Sequence, residues 1–201
     1  MLKLSTIIKS LLVSSTFILS TILNSINIGP VVGAGTLPYV IEKTNGKTKV
    51  FFLMGREGLG KFKKTWSDFG GKGLPGEETY QVASREGSEE LMNIISNKYI
   101  LSKIKNATRV GNTFIINIED KVGHNPTKYD REKFIKILNK ERKKLLLQKP
   151  KPVSLIEKDK FIWWRKKDLI NAIKNDSKIL RPGLKSIYGQ PQNIQILQNI
   201  K

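Results

Sequence analysis

The chain has no cysteine, which excludes disulfides, thiolate nucleophiles and cysteine-ligated metals and leaves no marker of redox compartment. It has one histidine, His124, so a multi-histidine metal site is ruled out and a histidine-based catalytic triad has little to stand on. Acids are scarce. Asp and Glu number 17 against 36 Lys and Arg, for a formal net charge of +19 and a pI near 10.0. That balance suits a polyanionic partner such as RNA, a polyphosphate or an anionic membrane surface. The bland alternative is compositional drift, since the chain is rich in Lys, Ile and Asn. No internal repeat is visible. A length of 201 residues allows one domain with a sizeable core plus an appendage.

Charge is missing altogether from Ser10 to Ala34, and Leu2 to Ile28 is rich in Leu, Ile and Val, with Lys3 and Lys9 ahead of the run. Residues 1–32 therefore read as an apolar signal- or anchor-like segment, with membrane association through residues 10–28. Ser, Thr and Asn interrupt the run, and no small-residue cleavage site is clear after it. The alternative is an apolar extension that packs on the domain, which would leave the protein cytoplasmic.

Residues 71 to 93 read GKGLPGEETYQVASREGSEELMN. From about Glu78 to Ile95 the stretch has no proline and a single glycine, so it can be a helix. At about 100° per residue, Glu86, Glu89 and Glu90 fall within an arc of about 100°. Tyr80, Ala83, Gly87, Leu91 and Ile94 fall on the adjacent face and are expected to pack on a core. Three carboxylates on one face repel one another. A cation removes that cost, and oxygen-only ligands point to Mg2+ or Mn2+. Taken in isolation, a solvated acidic face explains the same run.

The spacing of Gly71, Glu77, Arg85-Glu86 and Glu89-Glu90 is similar to the Nudix box, the signature of hydrolases that cleave a nucleoside diphosphate linked to another group. Six matched positions arise by chance in a chain of this length with a probability on the order of 1 in 10^5. Two positions depart from the family pattern. Gly87 stands where an aliphatic residue is usual, leaving a small hole or allowing closer helix–sheet approach. Met92-Asn93 replaces a glycine and an aliphatic residue, which predicts that the helix runs on through Ile94 and Ile95 with Asn97 as a cap.

Around the box, Thr36–Ile41 and Lys49–Met54 read as strands joined by an Asn45-Gly46 turn. Thr113–Ile118 reads as another strand, ended by Glu119-Asp120. Residues 121–151 carry eleven Lys or Arg and three acids. Within them, 130–148 reads as a helix with Phe134, Leu138, Leu145 and Leu146 inward. Lys133, Lys136, Lys140, Arg142, Lys143 and Lys144 are candidate contacts to a phosphate chain; lysines in solvent are the alternative. Lys160–Arg165 reads as a strand and Lys166–Lys174 as a helix. Little regular structure is expected after Asn175, where the chain is Gln- and Asn-rich.

The resemblance covers about residues 34–174. It implies an α/β fold, the Nudix α/β/α sandwich with a mixed sheet, as a domain over 33–175 between the apolar segment and a polar tail over 176–201. It implies water attack on a P–O–P linkage, with Glu86, Glu89 and Glu90 as metal ligands and Gly71, Glu77 and Arg85 in support. A further carboxylate acts as base or ligand, and Glu119 is the candidate. The run Trp66 to Lys72 (WSDFGGK) resembles Nudix hydrolases of large DNA viruses, a branch with mRNA-decapping and diphosphoinositol-polyphosphate members. The expected partner is a phosphate-rich substrate, RNA first; no protein partner is implied. A non-catalytic binding protein that keeps the fold is the rival from another class.

Overall fold

The computed structural model describes residues 33–201; the apolar segment expected over residues 1–32 lies outside them. β1 (Gly33–Thr44) and β2 (Lys47–Glu57) form an antiparallel hairpin. Its two-residue turn has positive φ at both Asn45 (48°) and Gly46 (71°), the geometry that matches the twist of the flanking strands. β3 (Trp66–Ser67) and β4 (Phe69–Lys72) follow, then α1 (Thr79–Glu90) and α2 (Asn97–Ile104). After β5 (Thr108–Val110) and β6 (Thr113–Asn117) come α3 (Glu119–Val122) and α4 (Lys128–Leu146). β7 (Lys158–Arg165), α5 (Lys166–Lys174), α6 (Pro182–Tyr188) and α7 (Pro191–Asn199) complete the described chain.

The sheet is mixed. β2 lies between β1 and β7, β1 lies between β2 and β6, and β5 closes on β6. The β1–β6 pair is parallel and the others are antiparallel. β3 and β4 fill the notch where β1 and β2 part, β3 on the end of β2 and β4 on the start of β1. Alternation along the strands splits the core in two. Val40, Phe51, Leu53, Phe69, Phe114 and Ile116 pack with α1, α2 and α4 on one face. Leu37, Val50, Phe52, Met54 and Ile115 pack with α5, α6 and α7 on the other. Helices thus cover both faces, a three-layer α/β arrangement.

Three expectations are corrected. The box helix does not run on to Ile95: it ends at Glu90, and Met92 (φ 54°) and Asn93 (φ 57°) turn left-handed. The Met92 and Asn93 N–H groups donate back to the Glu89 and Ser88 carbonyls, so the chain closes the helix without glycine. Asn97 begins the next helix, capped by Ser96. Tyr80 is exposed, because it sits in the first turn before α1 meets the sheet; Val82, Ala83, Gly87 and Leu91 carry the buried face. The segment after Asn175 is not irregular. Leu180, Leu184, Tyr188, Leu197 and Ile200 are buried in the second core. Pro182 and Pro191 each open a short helix there, at the position where the ring's fixed φ helps and its missing N–H costs nothing.

Candidate active site

α1 is seated against the start of β1 and against β4, and the seat depends on two glycines. A Cβ on Gly87 would meet Thr36 Oγ1 at 2.5 Å and Ile100 Cδ1 at 3.3 Å. Of the two readings of Gly87, close helix–sheet approach is therefore the one observed. A Cβ on Gly71 would run into the Glu86 carboxyl. The Gly70-Gly71 backbone thus lies directly against the acidic face of the helix.

Arg85 ties the loop to the helix. Its Nε and Nη2 donate to the two oxygens of Glu77, each at 2.8 Å, and Nη1 donates to Glu86 Oε1 at 2.6 Å. Nη1 also lies 3.7 Å from Glu89 Oε1. The Arg85 hydrogen bonds, with a further one from the Leu74 N–H, draw the Glu77 pKa down to about 2. The hydrogen bonds to Glu77 raise the Arg85 pKa, with burial opposing and Glu86 adding.

Glu90 lies apart from its two partners. It is 3% exposed, where Glu86 and Glu89 are only partly covered. Its position on the helix, between Glu86 and the buried Ala83, turns it toward the sheet. There Oε1 meets Lys158 Nζ at 3.1 Å and Oε2 accepts from the Gly70 N–H at 2.8 Å. Lys158 Nζ also donates to Glu57 Oε1 at 2.8 Å and to Ser67 Oγ at 2.7 Å. Burial pushes the Glu90 carboxyl up to about 8, with the Glu57 charge adding and the Lys158 ammonium opposing. Burial works against the Lys158 ammonium, but Glu90 and Glu57 outweigh it and hold its pKa above the ordinary lysine value.

Glu57, Lys158 and Glu157 were not singled out in the sequence. Glu157 precedes β7, is partly buried, and its pKa is raised by burial first and then by the charges of Glu86, Glu57 and Glu89. Glu-Lys after a Pro-rich turn and before a strand is the only local signal, and it is weak. Glu119 sits elsewhere. Its Oε1 accepts from the Ile41 N–H at 2.9 Å and from Asn117 Nδ2 at 3.2 Å. Ile41 is seven residues along β1 from Ala34, the partner of Gly71, so Glu119 is roughly 20 Å from the box face.

The basic helix α4 crosses the same face of the sheet. Lys133, Lys136, Lys140, Lys143 and Lys144 are exposed, and Lys144 pairs with Glu141 at 2.8 Å. Arg142 is partly buried and its Nε donates to the Lys158 carbonyl at 2.7 Å, which joins α4 to the acidic centre. Lys128 and Lys136 line a cleft of about 850 Å³ along β7 whose walls include Phe51, Phe161, Trp163 and Trp164.

As they stand, no three carboxylate, histidine or cysteine side chains among the described residues converge to hold a metal ion. Arg85 holds Glu86 and faces Glu89, and Lys158 holds Glu90. The donor chemistry on the Glu86 side nevertheless suits a hard cation: carboxylate oxygens, partly solvated, against a glycine backbone with no side chain in the way. Glu86 and Glu89, with Glu157 nearby, are the residues that fit such an ion. Glu90 lies against Lys158 instead.

Among the described residues no helix is long and apolar enough to cross a membrane. No protein-family model matches the chain, and no curated protein sequence matches it. Among solved structures, the chain is similar to a mutT/nudix family protein from Listeria innocua, at 11% identity over 86% of this chain and 98% of that one, with a TM-score of 0.41.

Proposed function

We propose that this chain is a divalent-metal-dependent hydrolase of the Nudix type that cleaves a P–O–P linkage, with the 5′ cap of mRNA or a related RNA 5′ end as substrate. The observation that carries the reading is Glu86 lying against the Gly71 backbone, with Arg85 on the helix joining Glu86 to Glu77 of the loop and facing Glu89. Bound Mg2+ or Mn2+ supplies Lewis-acid polarisation of phosphoryl oxygens and a more acidic water. Glu86 and Glu89 bind it. Glu157 takes the proton of the attacking water, a role suited by its raised pKa and denied to Glu119 by distance. Arg85 keeps Glu86 oriented.

The RNA reading is supported by the cleft along β7. Aromatic faces there accept a stacked base, and Lys128 and Lys136 meet phosphates at its rim. Glu132 and Asp168 line the same cleft and suit a positively charged base. A small polyphosphate such as a diphosphoinositol phosphate has no use for the aromatic walls. A catalytically inactive binding protein is the second reading, favoured by the engagement of Glu90 with Lys158.

A substrate panel with Mg2+ and with Mn2+ decides among these: capped RNA, diphosphoinositol phosphates, dinucleoside polyphosphates and nucleoside triphosphates. Release of the cap nucleoside as its diphosphate, leaving a 5′-monophosphate on the RNA, is the expected result. Cap binding without turnover under either metal would establish the non-catalytic reading, and turnover confined to inositol substrates would overturn the RNA assignment.

A further inference from the structure

The interior cation at this site is a lysine. We propose that Lys158 is a positioning residue that takes the place of a metal ion between Glu57 and Glu90, so that the site binds a single divalent ion, on the Glu86–Glu89 side. This rests on the hydrolase reading above.

Lys158 is held at three levels. Its carbonyl accepts from Arg142 Nε at 2.7 Å. Its alkyl stem lies across Gly55, where a Cβ would come within 2.9 Å of Lys158 Cγ and Cδ. Any larger residue at position 55 would push the stem away. Its ammonium has three hydrogens and three acceptors: Glu57, Ser67 and Glu90, at 2.8, 2.7 and 3.1 Å. Strand register puts it there. The β2–β7 pairing slips at Arg56/Glu57, which sets Lys158 opposite Glu57.

Charge separates the site into two halves. Glu57 and Glu90 face Lys158 and Arg181, whose Nη1 lies 3.2 Å from Glu57 Oε1. Asp68 also lies in the field of these two cations, but it is taken up by the hydroxyls of Thr113 and Tyr188, so the buried half offers an ion little free charge. Arg85 is shared by Glu77, Glu86 and Glu89, so surplus negative charge remains on the Glu86, Glu89 and Glu157 side, which is also the solvent-reachable side. A divalent ion goes where charge is uncompensated and desolvation is small.

Mn2+ binding to the full chain tests this, by calorimetry for affinity and by electron paramagnetic resonance for stoichiometry. Wild type is expected to bind a single Mn2+ at the site. Glu86→Gln should weaken it by more than about tenfold, and Glu90→Gln by less than about threefold. Lys158→Arg should retain the single ion. Lys158→Met takes the shared ammonium from Glu57 and Glu90, leaving Arg181 as the one cation there, and should gain a second Mn2+; if that variant does not fold, Glu57→Gln/Lys158→Met removes the excess charge and should return to one ion. Equal weakening by Glu90→Gln and Glu86→Gln, or two ions in wild type, would overturn the role of Lys158 while leaving the hydrolase reading intact. A wild-type chain that binds no Mn2+ would remove both.

Discussion

Thr36 Oγ1 is buried without a hydrogen-bond partner, directly beneath the Cα of Gly87. Alanine at 87 gains about 1 kcal/mol in helix propensity but forces the helix off the sheet, where overpacking costs about 1–3 kcal/mol. Gly87→Ala is expected to lower stability on balance. Thr36→Ala removes the two Thr36 atoms in the way and the orphan hydroxyl, leaving Ile100 Cδ1 at 3.3 Å, so the double variant should regain most of the single variant's loss. Urea midpoints of the four proteins form the cycle; additive effects would show that the two residues do not meet.

Acid stability should report the Glu77–Arg85 pair. The Glu77 pKa is depressed to about 2 from the ordinary glutamate value of 4.5. Such a group stabilises the fold fully above its unfolded pKa and loses that contribution as pH falls through the depressed one. Glu77→Gln is therefore expected to melt lower than wild type at pH 7, with the gap closing between about pH 4.5 and pH 2. Turnover in this variant should fall less than in Glu86→Gln. A melting gap that stays constant across that window would exclude the pair as a source of acid sensitivity.

The two ends of the chain should respond differently to truncation. Removing residues 1–30 is expected to leave a folded domain, because the Leu-, Ile- and Val-rich run from Leu2 to Ile28 ends before β1 begins at Gly33. Removing 176–201 strips Leu180, Leu184, Tyr188, Leu197 and Ile200 from the second core. At about 1.5–3 kcal/mol for each large side chain, that loss is comparable with the whole stability of a domain, about 5–15 kcal/mol. The C-terminal truncation should be unfolded by circular dichroism; a cooperative melt near the wild-type temperature would contradict the packing.

Neutralising Lys133, Lys136, Lys140 and Lys143 to Gln tests the RNA track. KM for long capped RNA should rise far more than KM for a short cap analogue, and the salt dependence should flatten. Arg142 is left in place because it bonds the Lys158 carbonyl, and its loss would disturb the acidic centre itself. Equal effects on long and short substrates would argue against a track along α4.

Sequence alone determined the local features. The β1–β2 turn follows from Asn45-Gly46, the helix α5 was legible to the residue from its apolar spacing, and the placement of Glu86, Glu89 and Glu90 on one helical arc follows from 3.6 residues per turn. Those rules act over a few residues, so a sequence displays them. Even the C-terminal helices left a local trace, a proline at the first position of each, which the polar composition around them masked. The tertiary structure decided which part of the acidic arc is buried. Lys158 reaches Glu90 across 68 positions of chain, and Arg181 reaches Glu57 across 124, through strand register and a bulge that leave no periodic mark. Glu119 went the other way: a strand-end carboxylate by sequence, it became a bond to the Ile41 backbone because β6 runs parallel to β1 and carries its end away from the box. Pairings between distant segments are settled by the free energy of the whole packed core, and no local stretch contains them.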